Sequence, residues 1–354
     1  MAAAARATHS SFAFHPDVAR DVDVADLVSR AHAGESRAVA RLISLVEDEA
    51  PSLQQVAALV APLAGNAQVV GLTGAPGVGK STTTAALVAA YRAANLRVAV
   101  LAIDPSSPFT GGALLGDRIR MQDHATDSGV FIRSMATRGH LGGLAAAAPQ
   151  AIRVLDAAGY DVVLVETVGV GQSEVEVVDL ADTTVVLLAP GMGDAIQAAK
   201  AGILEIGDVY CVNKADRDGA DVTARELRAM LALGRDVVRP TKGSADDGAA
   251  AASVGDGAAN WRPPIVKTVA SRSEGIDELM AALTAHAAHL EQSGGLYARR
   301  LRRATAEIEA LAVAALRSSL HSPERAAVVA QLASEVVAGN TDPHQAAHSL
   351  FPPP

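Results

Sequence analysis

The segment Gly74-Ala75-Pro76-Gly77-Val78-Gly79-Lys80-Ser81 lies between an apolar run, VVGLT, and a helix-forming run, TTTAALVAAYRAA. This is the pattern GxxxxGK[ST] in the setting it requires, the turn from a buried strand into a helix. Its glycines let consecutive backbone N–H groups turn inward, and the helix N-terminus adds its positive dipole end, so the segment is built to cradle phosphate. Lys80 is predicted to reach the β- and γ-phosphates and Ser81 to ligate Mg²⁺, with Thr82 beside them in the first helical turn.

The surrounding sequence has the periodicity such a loop needs. Between Gln68 and Ala270 the runs VVGLTG, VAVLAID, VFIRSM, DVVLVET, TTVVLLAP, VYCVNKAD and PIVKTVA are separated by helical stretches. They are apolar throughout rather than alternating, as strands covered on both faces of a parallel sheet are. The fold class is therefore α/β, a doubly wound, mostly parallel sheet of the P-loop NTPase kind. From Asp17 to Leu63 apolar residues recur at three and four, interrupted at Gly34 and Pro51, which predicts helices. After Ser293-Gly294-Gly295 helical signals return, with Leu301, Ile308, Leu311, Ala315 and Leu320 on one stripe. Arg299, Arg300, Arg302 and Arg303 beside it read either as a solvated face or as a partner contact. The division expected is a disordered tail with an N-terminal helical extension over 1–66, a nucleotide domain over 67–291 and a C-terminal helical extension over 292–354. Thr241 to Trp261, rich in Gly, Ala and Asp, reads as a flexible surface insertion.

Charge and cysteine usage exclude several classes. Lys and Arg number 30 against 39 Asp and Glu, a net charge of -9, whereas nucleic acid or anionic lipid calls for a concentrated basic surface. No apolar run is long enough for a membrane helix. The single cysteine, Cys211, rules out an intramolecular disulfide and a Cys-cluster metal site, fits a reducing cytoplasm, and reads as a small buried hydrophobe. The start, MAAAARATHSSFAF, lacks acids and a secretory apolar region and reads as a disordered tail. His140, in RGHLGG, reads as a loop residue rather than a ligand.

A phosphate loop alone does not choose a base. Asn213-Lys214-Ala215-Asp216 follows the apolar run DVYCV, which sets Asp216 at the C-terminal end of a strand, where doubly wound sheets bind ligands. A carboxylate there accepts from both N1–H and the exocyclic amine of guanine. Adenine offers no such donor pair, and the mismatch forfeits charge-assisted hydrogen bonds worth roughly 1.5 to 3 kcal/mol each. GTP and GDP are thus expected over ATP, with Ala270-Ser271 at the end of PIVKTVA offering a backbone N–H for the guanine O6. Two further strands end in acids, at Asp104 and Glu166, an arrangement that orients Mg²⁺ directly or through water. Gly169, at the head of the loop to Glu174, would let a backbone N–H sense the γ-phosphate. Asp117, in LLGDR, reads either as a helix N-cap or as a further acid of this constellation.

Together GAPGVGKST, IDPSSPFTGG with LLGDR, ETVGVGQSE and NKAD resemble the MeaB/ArgK family of P-loop GTPases, over roughly Val22 to Leu290. The resemblance implies a SIMIBI-class homodimer that hydrolyses GTP to GDP with Mg²⁺. Its implied partner is adenosylcobalamin-dependent methylmalonyl-CoA mutase or a related acyl-CoA mutase, whose cofactor loading it gates and which it protects or reactivates. Lys80, Asp104, Asp117 and Glu166 take the catalytic positions, Ser81 and the three acids surround the metal and attacking water, and the C-terminal helices form part of the dimer contact. The sequence departs from the family in the insertion and in the loop Ala270-Ser271-Arg272-Ser273. Alternative readings are a kinase or ATPase of arginine/ornithine transport, against which Asn213 and Asp216 speak, and a metallochaperone-like GTPase for another client.

Overall fold

The computed structural model describes residues 23–48, 50–105, 126–137, 143–167, 179–191, 206–237 and 261–350. Three helices open the chain, α1 (Val24–His32), α2 (Ser36–Glu47) and α3 (Leu53–Val60), and they break at Gly34, which takes φ 92°, and around Pro51. Then follow β1 (Gln68–Thr73), α4 (Lys80–Ala93), β2 (Val98–Pro105), β3 (Val130–Thr137), α5 (Gly143–Ala157), β4 (Val162–Thr167), β5 (Thr183–Leu188) and β6 (Val209–Val212). The chain continues with α6 (Ala220–Val237), β7 (Ile265–Lys267), α7 (Ile276–Ser293), α8 (Gly295–Leu320), α9 (Pro323–Val337) and α10 (Pro343–Leu350). Asp117, His140, Gly169, the residues before Asp23 and those from 238 to 260, which include most of the stretch read as an insertion, lie outside the described residues.

All seven strands are parallel, in the order β3-β2-β4-β1-β5-β6-β7. The phosphate-loop strand β1 is the centre: the chain builds β2, β3 and β4 on one side of it and β5, β6 and β7 on the other. A crevice at the carboxyl end beside β1 follows from that reversal. Alternate residues of each strand feed different cores, which is why no run in the sequence alternates. Val163 and Val165 of β4 face Val39, Leu42 and Ile43 of α2 and Ile152 and Leu155 of α5. Val162 and Leu164 face the other way, into the layer of Leu87 and Val88 of α4 and Leu279 and Leu283 of α7. A third cluster joins Val186, Tyr210 and Val212 to Ala224 and Leu227 of α6.

At the opposite, amino-terminal end of the strands, three of the four arginines of the α8 run, Arg299, Arg300 and Arg303, turn to buried carboxylates, while Arg302 stays exposed. Arg299 forms a two-pronged pair with Asp208, both contacts 2.7 Å. Arg300 and Arg303 hold the two oxygens of Asp182 at 2.9 and 2.8 Å. Asp182 and Asp208 are buried and also accept the backbone N–H groups of Val69 and Thr184. The short polar positions preceding β5 and β6 therefore anchor α8, because a buried carboxylate requires charged and backbone donors around it. The apolar stripe predicted on this helix points away from the sheet: Leu301, Ile308 and Leu311 stay exposed. Trp261, read from sequence as the end of a loose insertion, donates Nε1–H to the Asp208 carbonyl at 2.8 Å and packs on His286 and His289.

His286 lies in this anchor with no exposed surface, its Nδ1 2.9 Å from Thr183 Oγ1 and its Nε2 3.3 Å from Asp208 Oδ1. Burial pushes its pKa down to about 4, Asp208 opposing and Arg299 reinforcing the shift. A histidine depressed in the folded state contributes stability fully above its unfolded pKa near 6.5 and loses it as the pH falls towards the folded value. Between pH 7 and pH 5 this group is expected to remove about 2 kcal/mol from the unfolding free energy. Urea denaturation at the two pH values checks it: His286→Asn should flatten the difference, and an equally steep loss in the variant would assign the pH dependence elsewhere.

Candidate functional site

The loop after β1 is bent by its glycines. Gly74 takes φ 141° and a Cβ there would strike the Leu187 carbonyl, while Gly79 takes φ 99° and its Cβ would strike the Asn213 amide. The second collision shows how close the phosphate loop runs to the end of β6. Asn213 Nδ2 donates to the Val78 carbonyl at 2.9 Å, and its Oδ1 accepts from Ala270 N at 3.1 Å and Thr268 Oγ1 at 3.2 Å. Lys214, held at φ 57°, donates from Nζ to the Gly77 carbonyl at 2.6 Å. Two residues of the NKAD segment therefore brace the phosphate loop, and Asp216 is left exposed at the rim.

The N–H of Ala270, read from the sequence with that of Ser271 as a candidate for the guanine O6, donates instead to Asn213 Oδ1. Thr268 and Cys211 complete the support, with Cys211 Sγ 3.2 Å from Thr268 Oγ1. Burial pushes the Cys211 thiol up to about 11, so it stays a protonated packing residue, as read from the sequence.

At the start of α4, Lys80 is buried and its Nζ donates to the Gly74 and Ala75 carbonyls. Glu166, buried at the end of β4, accepts from Ser81 Oγ at 2.5 Å and from Thr84 Oγ1 at 2.9 Å. Register explains the meeting, since β4 lies beside β1 with Glu166 opposite Leu72, and α4 starts directly above. Thr84 escaped the sequence reading; one helical turn after Ser81, its hydroxyl falls on the same face. Oxygen donors only, a hydroxyl and a carboxylate beside a phosphate cradle, fit Mg²⁺. Asp104 lies at the carboxyl end of β2, opposite Ala136 of β3; Asp117 and Gly169 fall outside the described residues. The site also contains Arg272, which sequence reading placed only in an unusual loop: its Nη2 is 3.4 Å from Asp216 Oδ2.

A seven-stranded parallel sheet with this loop at the C-terminal end of its central strand defines the class, a P-loop nucleotide-binding protein. The chain belongs to the MeaB family: the family described as "Methylmalonyl Co-A mutase-associated GTPase MeaB" matches residues 39–324. A Pyrococcus abyssi protein provisionally named a GTPase is 46% identical over 326 residues, covering 92% of this chain and 95% of that one. GTPase ArgK of Escherichia coli is 36% identical over 280 residues, 78% of this chain and 80% of its own. The mouse protein "Methylmalonic aciduria type A homolog, mitochondrial" is 37% identical over 231 residues, 65% of this chain and 52% of its own. Among solved structures, one described as a LAO/AO transport system kinase superposes with TM-score 0.62 at 26% identity, covering 92% of this chain and 96% of that one.

The Asn213 bridge gives a direct prediction. Asn213→Asp keeps the acceptor for Ala270 and Thr268 but sets a carboxylate oxygen against the Val78 carbonyl. GDP affinity is expected to fall at least about tenfold, roughly 1.4 kcal/mol, as read by titration of a fluorescent GDP analogue. Unchanged affinity would show that the phosphate loop is held without this bond.

Proposed function

We propose that this protein is a Mg²⁺-dependent GTPase, converting GTP and water to GDP and phosphate. We further propose that it acts as a homodimeric, cytoplasmic chaperone and switch for an adenosylcobalamin-dependent acyl-CoA mutase, methylmalonyl-CoA mutase first. One observation carries the nucleotide assignment: the residue pair that braces the phosphate loop, Asn213 and Lys214, immediately precedes the exposed carboxylate Asp216. A single braced unit can therefore grip triphosphate and test the base. The mutase assignment is supported by the family description and by the mouse relative's name.

In this reading Lys80 turns its ammonium from the loop carbonyls to the β- and γ-phosphates. Glu166 fixes the Ser81 and Thr84 hydroxyls, so that Ser81 presents its remaining lone pairs to the cation without having to reorganise. Bound Mg²⁺ supplies charge neutralisation on the phosphates as negative charge shifts to the leaving oxygen. Asp104, Asp117 and Glu166 order the water and the metal surroundings, as the family resemblance implies. The backbone from Gly169 to Glu174 senses the γ-phosphate and leads into Val175 to Leu180. The end of that path touches the C-terminal helices, since the Asp179 carbonyl accepts from Arg303 Nε of α8 at 3.2 Å. The exposed Leu301, Ile308, Leu311 and Val313 on the same helix supply an apolar surface for the second copy.

The kinase reading, suggested by the solved relative's description, requires ATP, and an acid at 216 leaves adenine unmatched. Asp216→Asn replaces one acceptor by a donor and is expected to shift preference from GTP to XTP by roughly tenfold or more, the scale of one charge-assisted hydrogen bond. Equal affinity of the unaltered protein for GTP and ATP would overturn the guanine assignment.

A switch drives a partner only when the partner binds the two nucleotide states with different affinity, and linkage makes the effect reciprocal. Isothermal titration of the same organism's methylmalonyl-CoA mutase against the GDP-bound and non-hydrolysable GTP-bound protein is expected to give two distinct affinities. Absence of binding in both states, with the mutase active, would remove the client and leave a GTPase.

A further inference from the structure

The base-reading end of the site holds a contact that hydrolysis does not use. Arg272 Nη2 lies 3.4 Å from Asp216 Oδ2, and Arg272 Nε lies 3.1 Å from Glu274 Oε1, all three side chains being exposed. An exposed ion pair ordinarily contributes little, because two long side chains must be held in one geometry. Here the backbone does part of the holding. Ala270–Arg272 is a 3-10 turn, Ser273 follows at φ 57°, and Val269 and Glu274 exchange both backbone hydrogen bonds, at 3.0 and 3.3 Å. Gly275 packs so tightly on the Lys267 carbonyl that a Cβ would have no room. The far side of the turn is tied through Ala270 N to Asn213. Arg272 is thus delivered to Asp216 by a hairpin already fixed to the NKAD segment.

We propose that Arg272 is a positioning residue for guanine: braced by Glu274, its guanidinium holds one oxygen of Asp216 and so fixes the plane of the carboxylate that receives the base. The proposal rests on the guanine reading above. An ionised carboxylate offers about four acceptor positions. The ion pair at 3.4 Å approaches one oxygen only, Oδ2, and leaves acceptor positions on both oxygens for N1–H and the 2-amino group. Glu274 keeps the trio at one net negative charge, so the arginine orients Asp216 without cancelling the charge that the base's donors seek. Guanine uses both oxygens and needs the plane fixed. Hypoxanthine lacks the 2-amino group, uses one oxygen, and tolerates a rotating carboxylate.

The test is calorimetric titration of the full-length protein with Mg·GDP, Mg·IDP and Mg·ADP, in the unaltered chain, Arg272→Ala and Glu274→Gln. Preference of the unaltered chain for GDP over ADP tests the guanine reading on its own, so its failure is distinguishable from failure of the proposal. Arg272→Ala is expected to weaken GDP about fivefold while IDP changes by less than about twofold, lowering the GDP-to-IDP preference. Glu274→Gln is expected to lower it by a smaller factor, and its thermal midpoint, like that of Arg272→Ala, to stay with the unaltered protein's. Parallel losses for GDP and IDP would mark a merely structural role and overturn the proposal. So would an unchanged preference in Arg272→Ala, or tighter GDP binding, the mark of a latch competing with the base. No change in Glu274→Gln alone would remove the brace from it.

Discussion

One buried amide organises the site. Asn213 donates to the phosphate loop through Val78 and accepts from the segment after β7 through Ala270 and Thr268. Its three bonds join loops that follow β1, β6 and β7, adding a tie to the phosphate loop beyond the backbone bonds of Thr268 N to Val212 O and of Ala215 N to Thr268 O. Because a buried amide left unpaired costs about 1 to 3 kcal/mol, the ordering of each loop favours the ordering of the other two. Gly79 belongs to the same constraint: the amide occupies the space where a Cβ would be.

The opposite end of the sheet uses charge for the same purpose. Asp182 and Asp208 stand just before β5 and β6 and are met by Arg299, Arg300 and Arg303. Replacing one member of such a buried set leaves an uncompensated charge and destabilises by roughly 3 to 5 kcal/mol. α8 is therefore fixed at its first turns and free to expose apolar residues further along. The same helix holds the Asp179 carbonyl, which follows Glu166 along the chain. Nucleotide end and helical extension are joined by a short covalent path with an arginine at its exit.

Most of the fold was legible because the signals are local. Seven wholly apolar runs between helical stretches give seven strands, and the phosphate-loop motif marks the one that lies at the centre. The grip of Lys80, Ser81 and Glu166 on one region followed from motif and strand end. The rest depended on distances that sequence does not carry. Nothing local reveals that Arg299, Arg300 and Arg303 turn inward to Asp208 and Asp182, because an arginine run on a solvated helix has the same spacing. Thr84 and Arg272 enter the site only once α4 and the β7 loop are placed, and the N–H of Ala270 proved to be spent on Asn213. Trp261 looked like part of a featureless stretch until its indole met the Asp208 carbonyl.

In the proposed function, phosphate grip and base recognition are one braced unit. Hydrogen exchange followed by mass spectrometry, on the free protein and with saturating Mg·GDP or Mg·ADP, tests it most directly. Mg·GDP is expected to raise protection in 74–81, 213–216 and 268–274 together, and Mg·ADP, at concentrations that fill the phosphate loop, to raise it in 213–216 and 268–274 as well but less, because Asn213 and Lys214 tie those segments to the loop. Protection confined to 74–81 with Mg·GDP, with 213–216 and 268–274 exchanging as in the free protein, would contradict it.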